Sequence, residues 1–350
     1  MARAHASGLV GSAAAAIAFA IGGCVDGNIP PRPPVTFGSP IELTRAAVCE
    51  GVELAVRDGT LYWTDSGAGT VNSMPAEGPG DGGVFDVLVV DQVKPGKIVA
   101  DATSIYWITD LAQSIARRPR VAGRVEQFVT PTLLPVVEGG ENDINALLVD
   151  DVWLYFGRHI RAFKVPTAGV VAPMMIGKSP GEDDGRPSAF ASDDTYLYQT
   201  EALHNAVTRV TTDGHQEGKL ETGALAPFAP DRIAVSQGSL LLNTIALWRQ
   251  NVVWANGPTI FRKPTGDLED KPSFQVTTTA GGGDVSGFVV FGDAIYFGEL
   301  GSDTLQRATL PTGTATGVAS GQGSARRFVA DSNAIYWSTD DCSIMRLPMR

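Results

Sequence analysis

Short apolar runs alternate with polar turns from about residue 41 to the end of the chain, and no stretch has the periodicity of an amphipathic helix. Six of these runs share an aliphatic residue, a tyrosine and then an aromatic or polar residue. They are Leu61-Tyr62-Trp63, Ile105-Tyr106-Trp107, Leu154-Tyr155-Phe156, Leu197-Tyr198-Gln199, Ile295-Tyr296-Phe297 and Ile335-Tyr336-Trp337. Apolar runs of this length, bounded by turn residues, predict β-strands.

The spacing of the tyrosines indicates a repeat. The steps between them are 44, 49, 43, 98 and 40 residues, and the step of 98 residues contains two repeats. A seventh, degenerate copy must therefore lie between Tyr198 and Tyr296. Ile233–Leu242 fits it, with Leu241 near the tyrosine position, whereas an alternative alignment places Val253-Trp254 there.

Each copy predicts four strands. An apolar strand ending in aspartate, such as Ile98–Asp101, precedes the tyrosine strand, and a strand with a basic residue, such as Ala162–Pro166, follows it before a fourth segment. Four short strands every 40 to 50 residues are typical of an all-β fold, the β-propeller. We predict seven four-stranded antiparallel blades, with six blades as the alternative.

Leu61-Tyr62-Trp63-Thr64-Asp65 contains a literal Tyr-Trp-Thr-Asp motif. Here the chain resembles the YWTD propeller repeats of the low-density-lipoprotein receptor family, and the resemblance covers about residues 41–350. It implies that the tyrosine strand packs blade on blade. That family has six blades, so its partner-binding residues are not transferred to this chain.

The ring is expected to close through the N-terminal strand. The last copy ends after its third strand, and residues 41–48 form an apolar run without a blade of its own, so this run should complete the last blade. Cys49 follows the run and Cys342 precedes the strand that it should pair with, which predicts a Cys49–Cys342 disulfide. Two separate buried thiols are the alternative.

The first forty residues predict export and anchoring. Residues 1–23 have the short basic start and apolar stretch of a signal peptide. Ile21-Gly22-Gly23-Cys24 resembles a bacterial lipobox, which implies acylation of Cys24, and the Val25 that follows favours the outer membrane by analogy with enterobacterial sorting. Residues 24–40 form a proline-rich tether, and residues 41–350 form the propeller domain.

The amino-acid composition argues against several classes of function. The 40 glycines and 22 prolines fit many turns, and a net charge of −11 argues against a nucleic-acid partner. Four histidines and three cysteines leave little material for a metal or disulfide scaffold. The chain contains none of the short motifs of P-loop, zinc-protease or serine-hydrolase sites.

A site is expected on the face that holds the loops between blades. Acidic and basic residues of the predicted loops are the candidates for ligand binding: Glu141, Asp143, Asp183, Asp184, Asp231, Asp284, Arg326 and Arg327. Clustered carboxylates suit Ca²⁺, although solvated turns have the same composition. Trp248 and Trp254 suit a projecting binding hairpin, unless Trp254 lies on the tyrosine strand and is core. His159 and His204 fall in loops of adjacent blades.

These features predict a monomeric, lipid-anchored propeller of the bacterial cell envelope that acts as a non-catalytic binding or scaffold module, without a required cofactor. Its ligand, a protein or a small molecule, is not identified by the sequence. The alternative is a propeller enzyme of lyase or hydrolase type that acts on an extracellular substrate from the pore face.

Overall fold

A computed structural model describes residues 37–46, 51–79, 84–134, 143–178, 186–201, 206–214, 231–235 and 244–349. In this part of the chain, seven four-stranded antiparallel sheets form a seven-bladed β-propeller within the compact unit Thr36–Arg350. The all-β prediction and the count of seven blades are confirmed, and the six-bladed alternative is wrong.

The strands of each blade follow one another in chain order, and each pairs with the next. Blades 1 to 4 consist of β2 (Glu53–Arg57), β3 (Thr60–Asp65), β4 (Thr70–Pro75), β5 (Asp86–Val89); β6 (Ile98–Ala100), β7 (Ser104–Thr109), β8 (Ser114–Pro119), β9 (Glu126–Val129); β10 (Ile144–Val149), β11 (Trp153–Arg158), β12 (Arg161–Pro166), β13 (Met174–Lys178); and β14 (Pro187–Ser192), β15 (Tyr196–Glu201), β16 (Ala206–Thr211), β17 (Asp231–Val235).

Blades 5 to 7 repeat the arrangement, and the last blade takes its outer strand from the N-terminal side. They consist of β18 (Ile245–Trp248), β19 (Asn251–Asn256), β20 (Thr259–Pro264), β21 (Phe274–Thr278); β22 (Val285–Phe291), β23 (Ala294–Glu299), β24 (Leu305–Thr309), β25 (Thr316–Ala319); and β26 (Ala325–Ala330), β27 (Ala334–Thr339), β28 (Ser343–Pro348), β1 (Ile41–Arg45). A short 3-10 helix, Pro131–Leu133, follows β9.

This connectivity gives the propeller two faces. The first strands of neighbouring blades contact one another around a central channel. Connections from strand 1 to strand 2 and from strand 3 to strand 4 lie on one side, which we call the turn face. Connections from strand 2 to strand 3 and from one blade to the next lie on the opposite side, which we call the channel face.

The tyrosine strands hold neighbouring blades together. Tyr106 packs in one buried cluster with Phe156 of the following blade, whereas the adjacent Trp107 packs in another with Tyr62 of the preceding blade. Because successive side chains of a strand point to opposite sides of the sheet, one strand serves two blade interfaces. Trp63, Trp107 and Trp337 are all essentially inaccessible to solvent. The expectation that these aromatics pack blade on blade is confirmed.

The ring closes as the sequence predicts. β1 pairs antiparallel with β28, and Arg45 lies opposite Ser343. Farther out, the Gly38 amide donates to the Pro348 carbonyl over 3.0 Å. The strand ends at Arg45, earlier than the predicted residue 48. Two chain ends thus share one sheet, which covers an edge that would otherwise be exposed.

The degenerate copy of the repeat is blade 5, and the alternative alignment, with Val253-Trp254 at the tyrosine position, is the correct one. Ile233 lies in β17, the outer strand of blade 4, so its assignment to the fifth copy is wrong. Val253 and Trp254 lie in β19, where the other blades have their tyrosine strand. Two features make this blade hard to recognise from residue spacing. Valine replaces the tyrosine, and residues 212–230 separate the last two strands of blade 4.

Candidate ligand site on the channel face

The turn face repeats one hydrogen-bonded motif. In blade 2, Asp101 Oδ1 accepts the Thr103 and Ser104 amides, each over 2.7 Å, and Oδ2 accepts the Tyr106 hydroxyl over 2.9 Å. Asp331 of blade 7 holds its turn and Tyr336 in the same way. Burial raises the pKa of both tyrosines to about 12, and the neighbouring aspartate adds to the effect. The aspartate that follows the first strand is therefore structural in these two blades.

In blades 2 to 5, a basic residue of the third strand joins the blade to the next one on the same face. The four clearest links run from a side chain to a backbone carbonyl of the following blade: Arg117 to Thr167 over 2.5 Å, Lys164 to Thr212 over 2.6 Å, Arg209 to Thr265, and Arg262 to Pro311 over 3.1 Å. The sequence shows this basic position but not its partner. These cations stabilise the ring and are not available to a ligand.

Charged groups of a different kind occupy the channel. Lys97 precedes β6 of blade 2, and its Nζ donates a hydrogen bond to the Ser188 carbonyl of blade 4. Blades 2 and 4 are not neighbours, so this side chain spans the channel. Nearby, Arg327 of blade 7 pairs with Glu53 of blade 1, with 2.8 Å between Nε and Oε1. Burial lowers the pKa of Lys97 to about 8, Glu53 opposes the change and Arg327 adds to it.

A polar cavity of about 420 Å³ opens beside this cluster on the channel face. Residues of blades 6, 7 and 1 line it: Gly51, Val52, Val285, Ser286, Leu300, Arg326, Arg327, Ser338, Thr339 and Asp340. Arg326 is exposed, and within the described part of the chain it makes no hydrogen bond or ion pair. The cavity can therefore offer a guanidinium group to a ligand.

Some residues of this site are among those predicted from the sequence. Arg326 and Arg327 lie together in the cavity wall. Asp284 precedes β22 on the same face, but it is not among the cavity-lining residues. Asp143 and His159 lie on the channel face in blade 3, where Asp143 Oδ1 accepts the Gln113 side-chain amide over 2.6 Å and His159 is only 7% exposed. Glu53 and Ser286 were not among the candidates.

Three sequence candidates lie elsewhere. Asp231 is the first residue of β17, which places it on the turn face, where it pairs with Arg209 over 3.3 Å. Trp248 ends β18 on the turn face, is 8% exposed and donates to Asp293 over 3.2 Å. Trp254 is 2% exposed and its ring lies 6.0 Å from that of Phe261. The predicted projecting hairpin is therefore wrong, because both indoles are buried.

Several predicted residues lie outside the described part of the chain: Cys24, Cys49, Glu141, Asp183, Asp184 and His204. Cys342 is described and is 3% exposed. Its carbonyl oxygen accepts a hydrogen bond from the amide of Ala46 over 2.9 Å, and Ala46 lies three residues before Cys49 in the chain. Among the described residues, no three His, Cys, Asp or Glu side chains are grouped closely enough to hold a metal ion. The Cys49–Cys342 disulfide and the Ca²⁺ site stay predictions.

Sequence comparison gives no relative, since no protein-family model and no curated protein matches the chain. Solved structures do match. A streptogramin B lyase has a TM-score of 0.69 at 13% identity, over 89% of this chain and 97% of that chain. The virginiamycin B lyase of Staphylococcus aureus gives 0.68 at 14%, over 90% and 99%. BamB from Moraxella catarrhalis gives 0.57 at 13%, over 90% and 99%.

At these identities the likeness shows the fold alone, and the activities of those proteins are not transferred with it. It agrees with the seven-bladed architecture of the described residues. None of the helices in those residues is both long enough and apolar enough to span a bilayer.

Proposed function

We propose that this chain is a lipid-anchored, non-catalytic binding protein of the bacterial cell envelope, with its ligand at the channel face. The difference between the two faces carries the proposal. On the turn face, the aspartates and basic residues of the repeat are engaged in bonds that recur from blade to blade. On the channel face, a cavity of about 420 Å³ exposes Arg326, which has no partner among the described residues.

Burial of His159, the channel-face histidine that the structure describes, also favours binding over catalysis at the rim. His159 is 7% exposed, so it presents little surface to a substrate that approaches from solvent. A propeller folds into a rigid ring because each blade packs on two neighbours, and such a ring holds a polar cavity in a fixed shape. A fixed shape favours binding, because few side chains and loops then lose conformational freedom when the ligand binds.

A photo-cross-linking experiment tests the position of the ligand. A photoreactive amino acid replaces Leu300, an exposed residue of the cavity wall, in one full-length variant and Arg124, an exposed residue of the turn face between β8 and β9, in a second. Both variants are produced in cells, and envelope preparations of these cells are irradiated. We expect adducts of increased intact mass at position 300 and not at position 124. Equal labelling of the two positions, or none at either, contradicts the proposal.

The anchor is tested separately. Its support is the lipobox resemblance at Ile21–Cys24 and the proline-rich stretch that follows. Cells are fed labelled palmitate while they express the wild-type chain or the Cys24→Ser variant. We expect the label in the wild-type chain alone, and equal labelling of both chains contradicts acylation at Cys24.

A propeller enzyme is the second candidate, and Lys97 is the observation that favours it. With its pKa lowered to about 8, a fraction of this amine is neutral near neutral pH, which is a requirement for a general base. Solved structures with a similar fold include lyases. The two functions differ in the fate of the ligand: recovery of the bound compound with an unchanged mass supports the binding protein, and conversion to a product supports the enzyme.

A further inference from the structure

We infer that Arg326 and Arg327 form an oxyanion site, which takes the carboxylate or phosphate group of a small-molecule ligand in the cavity between blades 6, 7 and 1. This inference rests on the proposed binding function and names the chemistry of the ligand. Five observations support it: a bulge in β26, the unequal engagement of the two arginines, the composition of the cavity wall, the close approach of two blades, and the size of the cavity.

The bulge explains why two consecutive arginines reach one cavity. In a regular strand, neighbouring side chains point to opposite sides of the sheet. In β26 the register with β27 shifts by one residue between Ala325 and Phe328, so that Arg326 and Arg327 occupy the irregular segment. Bulges change the direction of nearby side chains and occur often beside active sites. Both arginines line the cavity.

The same bulge occurs in three other blades, with different side chains. It falls at Asn145 in blade 3, Ser188 in blade 4 and Ser286 in blade 6. Each of these is short and neutral. The bulge itself is therefore a property of the repeat, whereas the arginines are particular to blade 7 among the bulged first strands that the structure describes.

The two arginines are unequally engaged. Arg327 pairs with Glu53 over 2.8 Å, which fixes its position, and its side chain is 35% exposed. Arg326 has neither a hydrogen bond nor an ion pair in the described ranges, so its donors remain available. The planar guanidinium matches carboxylate and phosphate oxygens with two parallel hydrogen bonds, which a lysine cannot do.

The remaining wall is mostly polar and uncharged, with hydroxyls of Ser286, Ser338 and Thr339. Its one acid is Asp340, whose Oδ1 accepts the Ser324 amide over 3.0 Å. If Glu53, which pairs with Arg327, and Lys97, which interacts with both, are included, there are three cations and two anions in this region. The local charge is positive although the whole chain carries −11. An anion is therefore favoured here over a cation.

Blades 6 and 7 approach closely at this wall. Gly287 and Gly298 face the carbonyl oxygens of Arg326 and Ala325, and a side chain on either glycine would overlap those atoms. Ser286 donates its hydroxyl to the Ala325 carbonyl. The backbone that carries the arginines is thus held before any ligand binds. The cavity volume of about 420 Å³ is in the range of small-molecule sites, which extends from roughly 300 to 1,000 Å³.

The test is calorimetric titration of the purified chain at low ionic strength, with inorganic phosphate in one arm and succinate in the other. The variants are Arg326→Gln, which removes the charge, Arg326→Lys, which keeps the charge without the fork, and Arg124→Gln, an exposed arginine of the turn face as the matched control. A melting curve of each variant establishes that it is folded.

We expect saturable binding of at least one anion to the wild-type chain, with one site per chain. Arg326→Gln should weaken it by about tenfold or more, Arg326→Lys by less, and Arg124→Gln by less than about twofold. Binding of phosphate alone indicates a phosphorylated ligand, binding of succinate alone indicates a carboxylate, and binding of both indicates that the site accepts either group.

Absence of saturable binding by both anions overturns the inference, and so does an equal loss in Arg326→Gln and Arg124→Gln. Neither result by itself contradicts the proposed binding function. A photo-adduct at position 300 together with no anion binding would support a ligand at the channel face and contradict the inference that this ligand is an anion.

Discussion

The two faces of the propeller use similar residue types for different purposes. On the turn face, Asp101 and Asp331 make the same three bonds in two different blades, and basic side chains such as Arg117 and Lys164 link four successive blades to the next. On the channel face, Lys97 of blade 2 donates a hydrogen bond to the Ser188 carbonyl of blade 4, a contact that does not recur among the described blades. A group that repeats around the ring serves the ring, and a group that occurs once is a candidate for function.

The largest expected effect concerns ring closure. If Cys49 and Cys342 are bonded, the bond closes a loop that contains most of the domain, and its loss through Cys342→Ser should lower the free energy of unfolding by up to about 5 kcal/mol. Urea unfolding of oxidised and reduced protein measures this. A native protein with two free thiols by intact mass contradicts the pairing, and the channel face then has no covalent link at the closure.

A structural aspartate of the turn face should come next. Asp101→Ala leaves two turn amides and the buried Tyr106 hydroxyl without their acceptor, and should cost about 3 kcal/mol of stability. The matched control is Asp151→Ala in the equivalent turn of blade 3, where the side chain is 66% exposed and pairs only with Arg57. That change should cost less than about 1 kcal/mol.

Chemical denaturation of both variants gives the comparison. Equal losses for Asp101→Ala and Asp151→Ala would show that the three-bond motif adds no stability beyond that of an exposed turn aspartate. Such a result would weaken the distinction between repeated and single groups on which the assignment of the two faces depends.

Repetition also explains what the sequence could reveal. The tyrosine and aspartate positions recur, so the sequence alone predicts seven blades and the closing strand. The position of blade 5 was harder to predict, because Val253 replaces the tyrosine and Arg249 and Gln250 follow its first strand in place of aspartate. The long connection in blade 4 also changes the spacing between the two copies. Where the repeated side chains are missing, spacing alone misplaces a blade.

The site could be predicted only in part, because it depends on single features. A register shift such as that between Ala325 and Phe328 is not visible in residue spacing, yet it brings Arg326 and Arg327 to one cavity. The contact of Lys97 with the Ser188 carbonyl joins residues of non-adjacent blades. Asp231 was assigned to the wrong face because its strand was assigned to the wrong copy.

Lys97 gives a pH-dependent prediction. Its pKa falls from the ordinary 10.5 to about 8 because burial disfavours the charged amine. Between these values the unfolded chain binds more protons than the folded one, so stability should rise with pH in this window. We expect about 2 kcal/mol of gain from pH 8 to 10, below the limit of 1.36 kcal/mol per pH unit, because about half of this amine is already neutral in the folded chain at pH 8.

The Lys97→Met variant should lose this rise, as measured by denaturant unfolding at several pH values. Above about pH 10 the stability of both proteins should fall with pH, because the raised pKa values of Tyr106 and Tyr336 leave more protons on the folded than on the unfolded chain up to about pH 12. An identical slope in the variant and the wild-type chain between pH 8 and 10 would show that Lys97 is not buried as a charged group.

The smallest stability effect is expected at Arg326. Its guanidinium has no partner in the described residues, so Arg326→Gln should change the free energy of unfolding by less than about 0.5 kcal/mol. Arg209→Gln is the counterpart on the turn face, where the arginine pairs with Asp231 and donates to the Thr265 carbonyl, and about 2 kcal/mol of loss is expected. A large loss at Arg326 would make that arginine structural as well. A negligible loss together with weakened anion binding would separate function from stability at one residue, because an exposed cation that contributes nothing to the fold can be explained by what it binds.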